Sequence, residues 1–219
     1  MWNMAEQLGI TIFGTSANFI AASETAGNKP KSTNDLSKVR LILSTGSPLM
    51  EENFDYVYHA VKDDVQLSSI SGGTDIISCF AGGSPMLPVY RGELQCCGLA
   101  MNVDAFDQEG NSIRNEKGEL VCKKAFPSMP IYFWNDSAGL KYHNAYFNKF
   151  DNIWYHGDYI EINNHGGVTI YGRSDATLNP GGVRIGTAEI YRVVEKLDEI
   201  ADSLVVGVQK DGDNKWLSF

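Results

Sequence analysis

The sequence predicts a mixed α/β fold in three parts, and three patterns carry that expectation. Residues 1–90 run strand, turn, helix, strand, turn, the βαβ rhythm of a largely parallel sheet. From Gly92 to Tyr171 short strands alternate with turn signals, which predicts a small antiparallel β-barrel over 91–173. Residues 174–219 read as a hinge, one helix and a hairpin, the start of a small α+β domain.

The elements follow in order. Trp2 to Gly9 reads as a helix closed by Gly9, with the apolar run Ile10 to Phe13 after it. Asn18 to Ala26 reads as a second helix. The polar stretch Gly27 to Thr33 reads as a loop. It lacks the Gly-Lys-Ser/Thr ending and flanking glycines of a phosphate-binding loop. Val39 to Leu43 is a short strand ending at Thr45-Gly46-Ser47-Pro48-Leu49. A helix over Leu49 to Val61 carries Glu51 and Glu52 in its first turn, where the helix dipole favours acids. Val65 to Ile70 is a strand opening into the turn Ser71-Gly72-Gly73-Thr74-Asp75. Both turns fall at the carboxyl ends of parallel strands, where ligands sit in such sheets. Gly118-Glu119-Leu120-Val121 and Asn163 to Gly167 are read as turn signals within the antiparallel stretch. Thr187 to Leu197 is a helix, and Leu204 to Val208 with Trp216 to Phe219 forms a hairpin around Asp211-Gly212-Asp213.

Bulk properties narrow the function classes. A net charge of -9 with no Lys/Arg cluster argues against a nucleic-acid surface. No apolar run approaches the ~18 residues that span a bilayer. Cys79, Cys96, Cys97 and Cys122 form no Cys-x-x-Cys pair, which suits reduced thiols in a cytoplasmic protein. His59, His143, His156 and His165 lack metal-ligand spacing. His156 reads as a half-exposed turn residue, with a donor to Asp158 as the alternative.

The most informative stretch is Trp154 to Ile190. It holds Tyr155-His156-Gly157-Asp158, then Tyr171-Gly172-Arg173-Ser174-Asp175, then Asn179-Pro180-Gly181-Gly182-Val183-Arg184-Ile185-Gly186-Thr187-Ala188-Glu189. One Asp and two Arg separated by turn residues can grip a nucleotide. The carboxylate accepts from a ribose diol while guanidiniums meet phosphate oxygens. Convergence of Asp158, Arg173 and Arg184 is therefore the central expectation.

In order and spacing these segments resemble the adenylate-forming acyl-CoA synthetases over nearly the whole chain. The resemblance implies an acid–thiol ligase using ATP, Mg²⁺ and coenzyme A, with an AMP-bound intermediate and that family's fold in incomplete form. It places Gly46, Ser47 and Pro48 against adenine, and Thr74 on a phosphate. Asp75 would hold Mg²⁺, with a shorter arm than the family's glutamate. Asp158 would bind both ribose hydroxyls, and Arg173 the ribose and α-phosphate. Arg184 would reach the phosphate or the acyl side. Asp175 matches the hinge, and Gly181 and Gly182 the loop that coenzyme A approaches. Glu189 is expected to fix a helix start. Acetate-specific relatives place Trp residues in the turn occupied here by Ser71, Gly72 and Gly73. Their absence implies room for a larger acid such as acetoacetate, and Gly72→Trp is expected to shift preference toward acetate. Another short-chain acid, or a non-catalytic nucleotide-binding module, stays open. The family's Gly-x-x-Lys phosphate loop and its carboxylate-activating lysine have no counterpart here. That implies an internal fragment of a longer synthetase, inactive in isolation.

Overall fold

The fold is seen in a computed structural model, which describes residues 1–174 and, beyond them, 185, 187–194, 197, 200, 203–210 and 213–218. The described residues fall into two compact units. One is Met1–Gly98 with Gly166–Val168; the other is Leu99–His165 with the described part of Thr169–Phe219.

In the first unit β1 (Ile12–Ser16), β2 (Leu41–Thr45) and β3 (Gln66–Ser69) form a parallel sheet in that order. Phe13 pairs with Ile42 and Ile42 with Leu67. A strand's side chains alternate between faces, so these three share one face, and all three are buried. Helices α1 (Trp2–Gln7), α2 (Ala17–Thr25) and α4 (Glu51–Tyr56) bring Trp2, Ile20 and Phe54 into the same core. Ser16 ends β1 and caps α2, its hydroxyl accepting from the Phe19 amide at 3.1 Å.

Two sequence expectations need adjustment here. The helix over 49–61 is α-helical only through Tyr56. Its end, Val57–Val61, widens to a π turn that still buries Val57 and Val61. The polar loop 27–33 contains a one-turn helix α3 (Pro30–Thr33), started by Pro30, whose fixed φ suits the first helical position. An antiparallel sheet of β4 (Ser71–Gly73), β5 (Ser78–Gly82) and β6 (Cys96–Cys97) completes this unit.

In the second unit β7 (Val103–Phe106), β8 (Lys117–Cys122), β9 (Trp154–Ile162) and β10 (Val168–Arg173) form a sheet in the order β10-β9-β8-β7. The expected barrel does not close. β7 and β10 stand at opposite ends of the strand order, and four strands cannot curl around an interior, for which small barrels use about eight. The stretch read as alternating strands also contains a helix, α5 (Leu140–Tyr146). Asp136 starts it by accepting from the amides of Lys141 at 3.1 Å and Tyr142 at 2.9 Å. Tyr146 stacks on Trp154 at 3.7 Å between centroids, and Phe126 and Phe147 meet the same indole edge-on. Helix α6 (Thr187–Val194) and the hairpin β11 (Val205–Lys210) with β12 (Asp213–Ser218) follow the expected order, Val205 pairing with Ser218. Among the described residues no helix is long and apolar enough to cross a membrane.

A carboxylate is buried in this sheet at no visible cost, because it is fully partnered. Asp104 on β7 has no solvent exposure. It accepts from Ser112 Oγ at 2.6 Å, from Lys123 Nζ at 2.6 Å and from Arg114 Nη1. Burial alone would raise its pKa, but the bonds from Lys123, Ser112 and Arg114 outweigh it and hold the group below the usual carboxylate range. A depressed folded value means the stabilisation is present above the ordinary carboxyl pKa of about 4 and disappears as pH falls through the lower folded value. Asp104→Asn should therefore lose stability at neutral pH and show a flatter decline below about pH 4. Urea titrations at several pH values check this, and parallel acid limbs for the two proteins would refute it.

Candidate functional site

The sequence-predicted residues lie in two groups, one in each unit. In the first unit both expected turns stand at the carboxyl end of the parallel sheet. Thr45 ends β2, and its hydroxyl donates to the Ile70 carbonyl at 3.4 Å, tying the first turn to the residue before Ser71. Gly46 takes φ +89°, which L side chains rarely adopt, so the turn needs glycine there. Ser47 donates to Asn18 Oδ1 of α2 at 3.3 Å. Thr45, Gly46 and Ser47 are exposed, and Pro48 is half-buried.

The second turn differs from expectation. Ser71–Gly73 is not a loop but strand β4, paired with β5, and the chain turns only at the 3₁₀ segment Thr74–Ile76. Thr74 and Asp75 stand exposed on it. This overturns the substitution expected to close an acyl pocket. A Cβ on Gly72 would lie 2.0 Å from the Ser78 carbonyl oxygen and 3.0 Å from Cys79 Cα, both backbone atoms of the paired strand. Gly72→Trp would break the β4–β5 pairing before it could fill any pocket. Ser71, half-buried, is the residue of this segment with a side chain.

In the second unit the structure brings together Asp158 and Arg173, from strands β9 and β10. The register explains how. Glu119 pairs with Tyr159 and Val121 with Tyr155, so the single residue Leu120 faces three, His156, Gly157 and Asp158. Such a bulge re-aims side chains. Gly157 takes φ +82° within it. Its carbonyl accepts from the Ser174 amide at 2.7 Å, while the His156 carbonyl accepts from Arg173 Nη1 at 3.0 Å. The same Nη1 lies 3.4 Å from Asp158 Oδ1. The carboxylate is largely buried and the guanidinium half-exposed.

The sequence reading missed the support behind this pair. Glu119 was read as part of a turn, yet it sits in β8 with no exposure. It accepts from Lys149 Nζ at 2.7 Å and from Ser174 Oγ. Ser174 is thus held by its amide on Gly157 and by its hydroxyl on Glu119. An acid directly before the apolar run Leu120-Val121-Cys122 is the available signal. His156 is also not a half-exposed turn residue: it lies in β9, its side chain is 9 % exposed, and its Nε2 is 3.9 Å from Asp158 Oδ2. Glu189, in the first turn of α6, pairs with Lys117, which also lies 4.4 Å over the Tyr171 ring.

Asp175, Gly181, Gly182 and Arg184 lie outside the described residues. The four cysteines are free thiols, with burial raising the pKa of Cys79 and Cys122. Among the described residues no cluster of three or more His, Cys, Asp or Glu could hold a metal by itself. A groove of about 430 Å³ in the first unit, lined by Trp2, Phe19, Ser23 and Asn28, includes none of the residues singled out.

Gly157 gives the site a direct test. A Cβ there would approach Arg173 Nη2 to 2.7 Å, and the positive φ costs a side chain about 1–2 kcal/mol in addition. Gly157→Ala is expected to fold with that loss and to push the guanidinium off Asp158. In a double-mutant cycle with Arg173→Ala, part of the loss should vanish when Arg173 is absent. Additive unfolding energies would show that the close approach is not there.

No family model matches the chain. It is 58 % identical over 208 residues to the acetoacetyl-coenzyme A synthetase of Rhizobium meliloti, covering 95 % of this chain and 32 % of that protein. The structure of acetoacetyl-CoA synthetase from Streptomyces lividans superimposes with a TM-score of 0.87 at 45 % identity, over 95 % of this chain and 32 % of that one. An anthranilate CoA ligase superimposes with a TM-score of 0.80 at 19 % identity, over 99 % of this chain and 40 % of that one, a likeness of fold alone. The chain spans about a third of the length of the curated relatives it matches. By sequence and by fold it is a homologue of the acetoacetyl-CoA synthetases over about a third of their length.

Proposed function

We propose that this chain supplies the nucleotide-gripping part of an ATP-dependent acid–thiol ligase that adenylates acetoacetate and passes the acyl group to coenzyme A. The observation that carries the reading is the clasp on the β9 bulge: a largely buried Asp158 carboxylate 3.4 Å from a half-exposed Arg173 guanidinium. An ion pair this long, with one partner half-exposed, contributes at most about 1 kcal/mol to stability. Its geometry suits a ligand better than a fold. The carboxylate can accept from two ribose hydroxyls while the guanidinium meets an α-phosphate oxygen.

The other roles are assigned by residue. Gly46, Ser47 and Pro48 lie against adenine, where an exposed backbone turn admits a flat base. Thr74 bonds a phosphate, and Ser71, Gly72 and Gly73 border the acyl side. Asp75 fits Mg²⁺, which accepts one carboxylate and leaves its other positions to water and phosphate. The hydroxyl of Thr74 and the carboxylate of Asp75 are both exposed oxygen donors. The ion would neutralise charge on the phosphates. Arg184 serves the phosphate or acyl side, Gly181 and Gly182 the approach of coenzyme A, and Asp175 the hinge.

In the reaction the acetoacetate carboxylate attacks the α-phosphorus of ATP, releasing pyrophosphate, and the thiol of coenzyme A then displaces AMP. The residues named position and neutralise; they form no covalent bond with substrate.

AMP at about 100 times its Kd should stabilise the chain by about 2.7 kcal/mol, read as a rise in melting temperature, and GMP should not. Asp158→Ala should remove the AMP shift. Equal responses to AMP and GMP, or none to either, would overturn the adenine-nucleotide reading. AMP binding without acetoacetate-dependent ATP–pyrophosphate exchange in the chain would mark it as a nucleotide-binding module.

A further inference from the structure

Trp154, His156 and Asp158 lie close together on β9, His156 and Asp158 on either side of Gly157 in the bulge. The indole Nε1 lies 3.4 Å from His156 Nδ1. An indole N–H can only donate, so Nδ1 must present its lone pair, and a neutral imidazole then carries its proton on Nε2. Nε2 is the atom that faces Asp158 Oδ2, at 3.9 Å. On the other side of the carboxylate, Oδ1 faces Arg173 Nη1 at 3.4 Å. Trp154 is itself immobilised. It is 1 % exposed, stacked by Tyr146 at 3.7 Å and met edge-on by Phe126 and Phe147. A fixed donor therefore sets the tautomer of His156.

We propose that His156 is a positioning residue for the nucleotide-binding carboxylate. Trp154 locks it in the Nε2–H tautomer, and that N–H holds Asp158 Oδ2 on the ribose side while Arg173 holds Oδ1. This rests on the nucleotide reading above. The 3.9 Å separation is longer than a direct hydrogen bond, and it shortens as a bound diol draws the carboxylate forward, since such contacts tighten in ligand complexes. The imidazole does not touch the nucleotide. It acts through Asp158, by limiting the rotation of a carboxylate that must meet two hydroxyls at once.

The inference is tested on the full chain in two ways. Nitrogen-15 NMR of the histidine ring should show His156 with Nε2 protonated and Nδ1 bare at neutral pH. Trp154→Phe should give a mixture of tautomers. A protonated Nδ1 in the wild-type chain would overturn the proposal whether or not a nucleotide binds. In calorimetric titrations, His156→Phe should weaken AMP binding about tenfold. It should leave 2′,3′-dideoxy-AMP unchanged, because that ligand offers Asp158 no diol. His156→Gln, which keeps a donor near the Nε2 position, should recover most of the AMP affinity. Equal losses for both nucleotides would mean that His156 merely supports the fold and would overturn the proposal, as would unchanged AMP affinity. Absence of AMP binding to the wild-type chain would instead overturn the nucleotide reading itself. Should His156→Phe fail to fold, the comparison of His156→Gln with His156→Asn on the same two nucleotides decides the question. Of these two, the glutamine amide reaches where Nε2 stands, so equal AMP affinities would overturn the proposal.

Discussion

In the second unit the pairing of β8 with β9 holds three residues of one strand against one of the other, and the placement of the charged groups follows from that mismatch. In a regular ladder consecutive carbonyls point to opposite neighbours, so only one of His156 and Gly157 would turn its carbonyl toward β10. With it, the carbonyls of His156 and Gly157 project as acceptors, and Arg173 and Ser174 occupy them. The arginine is thus oriented first by backbone and only second by Asp158. Glycine at 157 is a condition of this arrangement. The backbone there is left-handed, and any Cβ would occupy the space of the guanidinium.

Three buried carboxylates of this unit differ in how closely their charged partners approach. Asp104 and Glu119 are both wholly buried, and each accepts short contacts from an ammonium or guanidinium and from a hydroxyl. Removing one partner from such a pair strands a charge in the interior, at about 3–5 kcal/mol. Their chemistry is spent on the fold. Asp158 meets Arg173 and His156 at longer range, and its guanidinium partner is half-exposed. Glu119 and Asp158 are nonetheless linked, because Ser174 bonds to Glu119 through its hydroxyl and to Gly157 through its amide. The buried acid fixes the end of β10, and the end of β10 carries Arg173.

How much of this was legible beforehand follows from the kind of signal each feature leaves. The parallel strands announced themselves as short apolar runs, and the proximity of Asp158 to Arg173 followed from motif order and resemblance. Helix α5 went unread because its sequence, Leu140 to Tyr146, is rich in residues with no strong helix preference. Its start depends on Asp136, several positions upstream. Glu119 was mistaken for a turn residue because a neighbouring glycine is a stronger local signal than burial, which depends on Lys149 thirty residues away. The proposed tautomer of His156, which the sequence offers only as an alternative donor to Asp158, is hidden for a related reason. It rests on a nitrogen-to-nitrogen contact with Trp154, and no pattern of residue types specifies a tautomer.

The choice of acid is where motif and geometry part company. Read as a motif, glycine in place of an aromatic residue at position 72 means space for a longer substrate. Read in the structure, that glycine is required by the close approach of β5, whose Ser78 carbonyl would stand 2.0 Å from any Cβ. The two explanations differ in what they imply: an empty position can be filled, whereas a close-packed one cannot. Glycine at 72 therefore records how tightly β4 pairs with β5, and it says nothing of the acid's size. On the proposal that this segment borders the acyl side, discrimination between acids falls to Ser71, which carries a side chain, or to residues on other elements. Any preference for acetoacetate over acetate accordingly rests on the likeness to acetoacetyl-CoA synthetases rather than on a cavity at Gly72.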